Sequence, residues 1–406
     1  MPTINPLYLD ANASDLLRPV ARAAMIAALD AANPASVHQF GRQARQILEQ
    51  AREIVAGYCH ARPQDLVFTS GATEANALAI HALGGDRPIL IGATEHDAIR
   101  APAQATGRAV CIPVLRSGSI DLAALEQALA THPPALVCLM AANNETGVIH
   151  PLAQIAALCA RYGAALHVDA AQAIGRIVID PLGAGATSFA VSSHKMGGPK
   201  GAGVLVLATE AAERLAPLIK GGGQERGRRG GTPDLAAIAG FAAAIKAIGP
   251  DEANRLAPLR DAIDQGALAL GAQVIGHDAP RLANTTCLAV PQVAAQTQVI
   301  ALDLAGIAVS AGAACSSGKV ARSHVLDAMG FSALADCAIR VSLPWNCAAD
   351  APARFLAAYR DSISRALHNG HRSHIATAEP SDIVTAEPSH IVAAEPSDIV
   401  AAEPVA

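Results

Sequence analysis

Aromatic side chains are scarce in this chain, making up 3% of its 406 residues. That excludes a core built on stacked rings. Apolar residues still reach 51%, so alanine, leucine, valine and isoleucine must form a large interior. A strong charge of either sign is also missing: the net charge of −5 gives no global attraction to nucleic acid or to an anionic membrane, and neither is expected as a partner. The eight cysteines include no C-x-x-C pair and no cysteine and histidine spacing typical of zinc. Several, such as Cys138 in ALVCLM and Cys111 in AVCIPV, read as small buried hydrophobes. The chain therefore reads as reduced and cytoplasmic. The most apolar long segment, Leu235 to Ile248, contains Lys246 and is shorter than the ~20 residues that span a bilayer. The first residues, MPTINPLYLD, lack the charged start and apolar core of a secretory signal.

What is present is a rhythm. A short strand is expected at LYLD, a helix over Val20 to Leu29 and a longer one over Gly41 to Cys59. From Asp65 onward, short apolar runs alternate with helix-compatible stretches. The runs are LVFTS (66–70), PILIG (88–92), AVCIPV (109–114), ALVCLMA (135–141), ALHVDA (165–170), TSFAVS (187–192) and GVLVLA (203–208). Nearly continuous apolar strands alternating with helices predict an α/β fold whose mostly parallel sheet is covered on both faces. After Pro250 come a helix over about Asp251 to Leu270, short strands near Val274 and Thr286 to Val290, and a helix to Leu304. A polar loop over Ser310 to Ser323, a strand over Ala338 to Leu343 and a helix over Ala351 to Ala366 complete a smaller α+β domain. The expected division is an N-terminal segment (1–15) packing with the small domain, a large domain (16–250), the small domain (251–372) and a tail (373–406). In the tail an eight-residue unit ending in AEPSD or a close variant repeats, and proline at that frequency predicts disorder.

Ligands of such sheets bind beyond the carboxyl ends of the strands. There the chain places Thr69-Ser70-Gly71-Ala72-Thr73-Glu74, His96, Asn143-Asn144-Glu145, Asp169 with Gln172, and Ser192-Ser193-His194-Lys195. Each has a plain alternative. The first is an ordinary helix cap as readily as a phosphate site, His96 a capping or core histidine, and Lys195 a solvated lysine on a glycine-rich turn. Together they fit pyridoxal phosphate: a lysine for the Schiff base, an aspartate for the pyridine nitrogen and a helix start for the phosphate.

HVDAAQAIGR, SSHKMGGPKG, NPASVHQFGRQAR, FTSGATEAN, NNETG and SAGAACSSGK together resemble the cysteine desulfurases, the class V aminotransferase-like branch of the fold-type I pyridoxal phosphate enzymes. The resemblance runs from about Tyr8 to Leu367. It implies a large domain with a seven-stranded sheet, a homodimer with active sites near the interface, and conversion of L-cysteine to L-alanine. Position by position, it makes Lys195 the Schiff-base lysine, Asp169 the partner of the pyridine nitrogen, Gln172 the contact to the phenolic oxygen and His96 the stacking, proton-handling histidine. Ala72, Thr73, Ser192 and His194 match the phosphate-binding positions, and Thr232 the threonine that reaches the phosphate of the neighbouring subunit. That gives the arginine- and glycine-rich stretch GGGQERGRRGG (221–231) a place beside an anionic cofactor. Asn144 and Arg340 match the residues that hold the substrate carboxylate.

Cys315 lies in a run of small residues too polar for a core, and it is the cysteine that reads as reactive on composition alone. The resemblance makes it the acceptor of the substrate sulfur as a persulfide, and a transient ligand to iron in cluster assembly. The sulfur acceptor implied is an iron–sulfur scaffold protein, a nitrogen-fixation system or a tRNA-thiolation relay. Transamination, kynurenine-type cleavage, selenocysteine lysis and a non-catalytic assembly role are the rivals; the first two need no nucleophilic cysteine. Three departures from the family pattern stand out: Gln224 for a frequent histidine, Leu343-Pro344-Trp345-Asn346 for a glycine–arginine pair after Arg340, and Asn12-Ala13-Ser14-Asp15 for a threonine-rich entry.

Overall fold

The computed structural model describes residues 6–314 and 320–375. The chain divides into two units, Met1–Leu367 and His368–Ala406. The first opens with β1 (Leu7–Tyr8), α1 (Pro19–Ala28), α2 (Gln39–Tyr58), β2 (Leu66–Thr69) and α3 (Ala72–Gly84). Then follow β3 (Ile89–Gly92), α4 (Asp97–Ala105), β4 (Ala109–Ile112), α5 (Leu122–Thr131), β5 (Leu136–Met140) and α6 (Leu152–Arg161). The alternation closes with β6 (Ala165–Asp169), β7 (Ser188–Ser192) and β8 (Gly203–Leu207).

All seven apolar runs are strands of one sheet, ordered β2-β8-β7-β6-β5-β3-β4. Only β8 runs against its neighbours. The expected α/β class and seven strands are observed. Continuous burial explains their legibility: β2, β3, β5, β7 and β8 are buried at every position, so their sequences carry no polar face. The exception corrects one reading. Cys111 is exposed, because β4 is an edge strand covered only in part.

After α7 (Thr209–Glu213), α8 (Leu235–Lys246) and α9 (Glu252–Ala269) come β9 (Gln273–Val274), β10 (Thr285–Ala289), α10 (Ala295–Leu304), β11 (Ile307–Ala308) and β12 (Ser310–Ala311). The pair β13 (Ala313–Ala314) and β14 (Val320–Ala321), α11 (His324–Ala328), β15 (Ala338–Ser342) and α12 (Ala351–Ile375) complete the order. A second sheet runs β12-β15-β10-β9, and β1 pairs in parallel with β11. The stretch read as one polar loop thus contains three two-residue strands, too short to leave a periodic signal. A core of Leu7 and Leu9 with Val274, Leu288, Ile339, Phe355 and Tyr359 draws the first residues onto the second sheet. Cys315 and the eight-residue repeats lie outside the described residues. Among the described residues no helix is long and apolar enough to cross a membrane.

The stretch 221–231 is fixed by a buried ion pair. Both Glu225 oxygens accept from Arg52, at 2.7 and 2.9 Å, and one also accepts from the Phe68 backbone N–H at 2.9 Å. Glu225 and Arg226 have left-handed φ of 49° and 61°, a conformation that non-glycine residues hold only when surroundings impose it. Glu225→Ala leaves the buried Arg52 with the Leu66 carbonyl and, as its remaining carboxylate, the more distant Glu49, and leaves the Phe68 N–H unpaired, so denaturant unfolding should show a loss of about 3 kcal/mol. A change below about 1 kcal/mol, the range of a surface pair, would contradict this role.

Candidate active site

Adjacent parallel strands β6 and β7 end side by side, delivering Asp169 and the turn Ser193–Lys195 to the same edge of the sheet. The Lys195 amine donates to the main-chain carbonyls of Asn12 and, at 3.1 Å, Ala13. The N-terminal strap that follows β1 therefore crosses over it. Burial, then the positive charges of Arg340 and Arg176, bring the amine down from 10.5 to about 7, against the opposing pull of Asp169 and Asp10. Near neutral pH much of it is uncharged, the form that acts as nucleophile or base.

Arg176 staples this arrangement. Its guanidinium donates to Asn12 Oδ1, Gln172 Oε1 and the carbonyls of Ala11 (3.2 Å) and Lys195 (3.0 Å), linking strap, strand end and lysine turn. Gln172 Nε2 donates to Asn12 O at 3.0 Å. Across the strap, Asn12 Nδ2 donates to Asn144 O at 3.0 Å, and Arg340 donates to the same carbonyl at 3.2 Å and to Asp10 at 2.7 Å. One contiguous network thus joins Lys195, Gln172, Asn144 and Arg340.

Asp169 faces the N-terminal part of α3, where Asn76 Nδ2 donates to it at 2.8 Å. The start of α3 has no side-chain cap, leaving its first N–H groups available to an anion. Ala72 and the exposed Thr73 form this start, and Ser192 Oγ lies 3.7 Å from where a Gly71 side chain would begin. A side chain on Gly203 would fall 2.6 Å from Gly71 Cα, so glycine there is what lets β8 approach the helix start. His194 contacts Ser14 Oγ at 3.3 Å; burial, then Lys195, Lys200 and Arg176, lower it to about 4, so it is neutral.

His96 caps α4, its Nδ1 accepting from the Ala98 N–H at 3.0 Å. The cap occupies Nδ1 and leaves the ring exposed, so the plain and functional readings are compatible. Thr232 is exposed, with no described contact to the other site residues; its segment is tied to α3 by the Arg229–Glu74 pair at 2.8 Å. Among the described residues no cluster of histidine, cysteine, aspartate or glutamate is suited to a metal. The base of the stretch bearing Cys315 is held by Glu145, which accepts from Ser323 Oγ at 2.6 Å. An uncapped helix start, a near-neutral lysine, a strand-end carboxylate, and two buried polar atoms without partners, Ser193 Oγ and Arg340 Nε, suit a phosphorylated aldehyde and an amino-acid carboxylate.

The sequence model for class-V aminotransferases matches residues 7–351. The chain belongs to the class-V aminotransferase family. It is 41% identical over 363 residues to a cysteine desulfurase of Cereibacter sphaeroides, covering 85% of this chain and 92% of that protein. It is 37% identical over 358 residues to an IscS-like cysteine desulfurase of Mycobacterium tuberculosis, covering 83% and 91%. The structure of a NifS-like protein from Rickettsia africae superposes with a TM-score of 0.82 at 30% identity, over 89% of this chain and all of that one.

For a class-V aminotransferase family member, two of the three departures prove to be one feature. Asp15 Oδ1 accepts from the backbone N–H of Leu16 at 2.8 Å and of Trp345 at 3.3 Å, while Trp345 Nε1 donates to Leu16 O at 2.7 Å. The Arg18 guanidinium covers the Trp345 ring at 4.8 Å. Asn12, Arg176, Asn76 and His167 lie in stretches that the sequence marks, Asn12-Ala13-Ser14-Asp15, HVDAAQAIGR and FTSGATEAN, but their parts in the site were missed, because each acts through partners distant in the chain.

Burial raises the Asp15 carboxyl from 3.8 to about 6, opposed chiefly by Arg176. A folded-state value above the unfolded one favours folding at low pH and loses that contribution as pH rises through about 6. Asp15→Asn should therefore stabilise the protein at pH 8 by on the order of 1 kcal/mol and leave it unchanged near pH 3.5. Chemical denaturation at the two values measures this; equal effects at both would contradict it.

Proposed function

We propose that this protein is a pyridoxal-phosphate-dependent cysteine desulfurase, which converts L-cysteine to L-alanine and collects the sulfur on Cys315. The observation that carries the reading is the meeting of a near-neutral Lys195, strand-end Asp169 and the uncapped start of α3, in a chain 41% identical to a cysteine desulfurase. Lys195 would hold the cofactor, Asp169 its ring nitrogen, Gln172 its phenolic oxygen, His96 its ring face, and Ala72, Thr73, Ser192 and His194 its phosphate. When bound, that group withdraws electrons from the amino acid's Cα and makes its proton acidic.

The other steps belong to the chain's own residues. Arg340, whose Nε is unpartnered, and Asn144 receive the substrate carboxylate, a task suited to the planar guanidinium fork. Lys195, released when the substrate's amine takes its place, would take the α-proton, its near-neutral amine serving as a base at physiological pH. The Cys315 thiolate attacks the substrate sulfur: a sulfur–sulfur bond forms, the carbon–sulfur bond breaks with its electron pair left on the three-carbon skeleton, and protonation, with His96 as carrier, completes alanine. The persulfide then passes to an acceptor, for which iron–sulfur cluster assembly is the proposed use.

We further propose a homodimer. Ile26, Leu29, Val37 and Phe40 are exposed on α1, the connection after it and the start of α2, with Val37 88% exposed, and apolar residues so displayed mark a contact surface. Thr232 of one subunit would then reach the cofactor phosphate of the other.

Lys195→Ala should abolish the visible absorbance of protein purified with the cofactor. Cys315→Ala should keep that absorbance and form no persulfide from L-cysteine, as read by mass spectrometry of trapped thiols. Normal sulfur release by the Cys315 variant would overturn the assignment of the nucleophile.

A further inference from the structure

Residues Ala165, His167 and Asp169 alternate along β6 onto one face of the sheet, because side chains two apart on a strand point the same way. The register of β6 with β7 puts Ser188 directly beside His167. Above that face lies α3, whose Asn76 stands between the two β6 side chains. The outcome is a chain of side-chain hydrogen bonds: Ser188 Oγ to His167 Nδ1 at 2.8 Å, His167 Nε2 to Asn76 Oδ1 at 2.9 Å, and Asn76 Nδ2 to Asp169 Oδ2 at 2.8 Å. The other Asp169 oxygen accepts from the Ala171 N–H at 3.0 Å. Ser188, His167 and Asn76 are fully buried, at 0% exposure.

Donor chemistry fixes the direction of every link. An ionised Asp169 carboxylate only accepts, so the Asn76 amide must present its NH2 group there and its oxygen to His167. His167 must then carry its proton on Nε2, and its bare Nδ1 takes the Ser188 hydroxyl proton. Burial pushes His167 down to about 3, so the imidazole stays neutral and this tautomer persists across the working pH range. Glu95 and Lys195 both feel the charge of Asp169, and burial raises the Glu95 carboxyl well above its usual value.

We propose that His167 and Asn76 are positioning residues: through a one-directional relay from Ser188 they hold the Asp169 carboxylate, by a neutral donor, in the orientation that meets the cofactor's ring nitrogen. The proposal rests on the cofactor site proposed above. A neutral donor orients the carboxylate while leaving its charge to act on the ring; a cation in the same place would compete for that charge.

The test compares His167→Phe with His167→Gln in the full chain carrying its cofactor. Glutamine can reproduce both links in the same sense, donating to Asn76 and accepting from Ser188, whereas phenylalanine fills the space and breaks both. The readout is the pH at which the bound cofactor's visible absorbance changes. In His167→Phe that midpoint should move by about one pH unit, a tenfold change in proton affinity, while His167→Gln stays at the wild-type value. An unmoved midpoint in a folded His167→Phe protein would overturn the proposal. Neutron diffraction from the unaltered protein serves if the variants do not fold: a deuteron on Nε2 and none on Nδ1 is expected, and a deuteron on Nδ1 overturns it. An unaltered protein that binds no pyridoxal phosphate would instead refute the cofactor reading, and the neutron result would still decide the relay.

Discussion

The hydrogen bonds between the Lys195 amine and the Asn12 and Ala13 carbonyls organise the molecule, because they need an N-terminal strap to lie across the end of β7. Three anchors hold it there. β1 pairs with β11, Asp10 bonds Arg340 at 2.7 Å in the second sheet, and Arg176 ties Ala11 and Asn12 to the lysine turn. The strap thus couples the seven-stranded sheet, which carries Lys195 and Asp169, to the second sheet, which carries Arg340. Enclosure by the strap and the nearby guanidinium groups disfavour a protonated amine, so the contacts that build the site also set its chemistry.

The sequence departures fall on the same strap. Asp15 and Trp345 lie 330 residues apart and share a hydrogen bond, and Trp345 also binds Leu16. A glycine–arginine pair has no indole to make that second contact, so the exchanges at both places read as one co-adapted clasp. Its partly buried carboxyl is costly when ionised. Arg18 helps hold the clasp, stacking on Trp345 while bonding Glu252 and the carbonyl of Met196, the residue after Lys195.

Strand positions were legible wherever burial on both faces erased the polar alternation, as in β5 and β8. The same expectation failed for Cys111, whose strand has the composition of a core strand but sits at an edge, and edge position is a property of topology. The placement of Lys195 and Asp169 at one edge of the sheet was legible because the strand-end rule converts sequence order into convergence. The parts of Asn12, Arg176, Asn76 and His167 were not, since each acts through partners on other elements: the relay from Ser188 to Asp169 crosses two strands and a helix. Cys315 reads as reactive from composition and family resemblance alone, and it lies outside the described residues.

The chemistry proposed for the site depends on the state of one amine. Competitive labelling of Lys195 with a trace amine-reactive reagent across a pH series, read by peptide mass spectrometry on protein freed of bound aldehydes, measures it directly. Reactivity should titrate with a midpoint of about 7. A midpoint near the ordinary lysine value of 10.5 would show that strap, burial and arginines do not act on the amine, and would contradict the account.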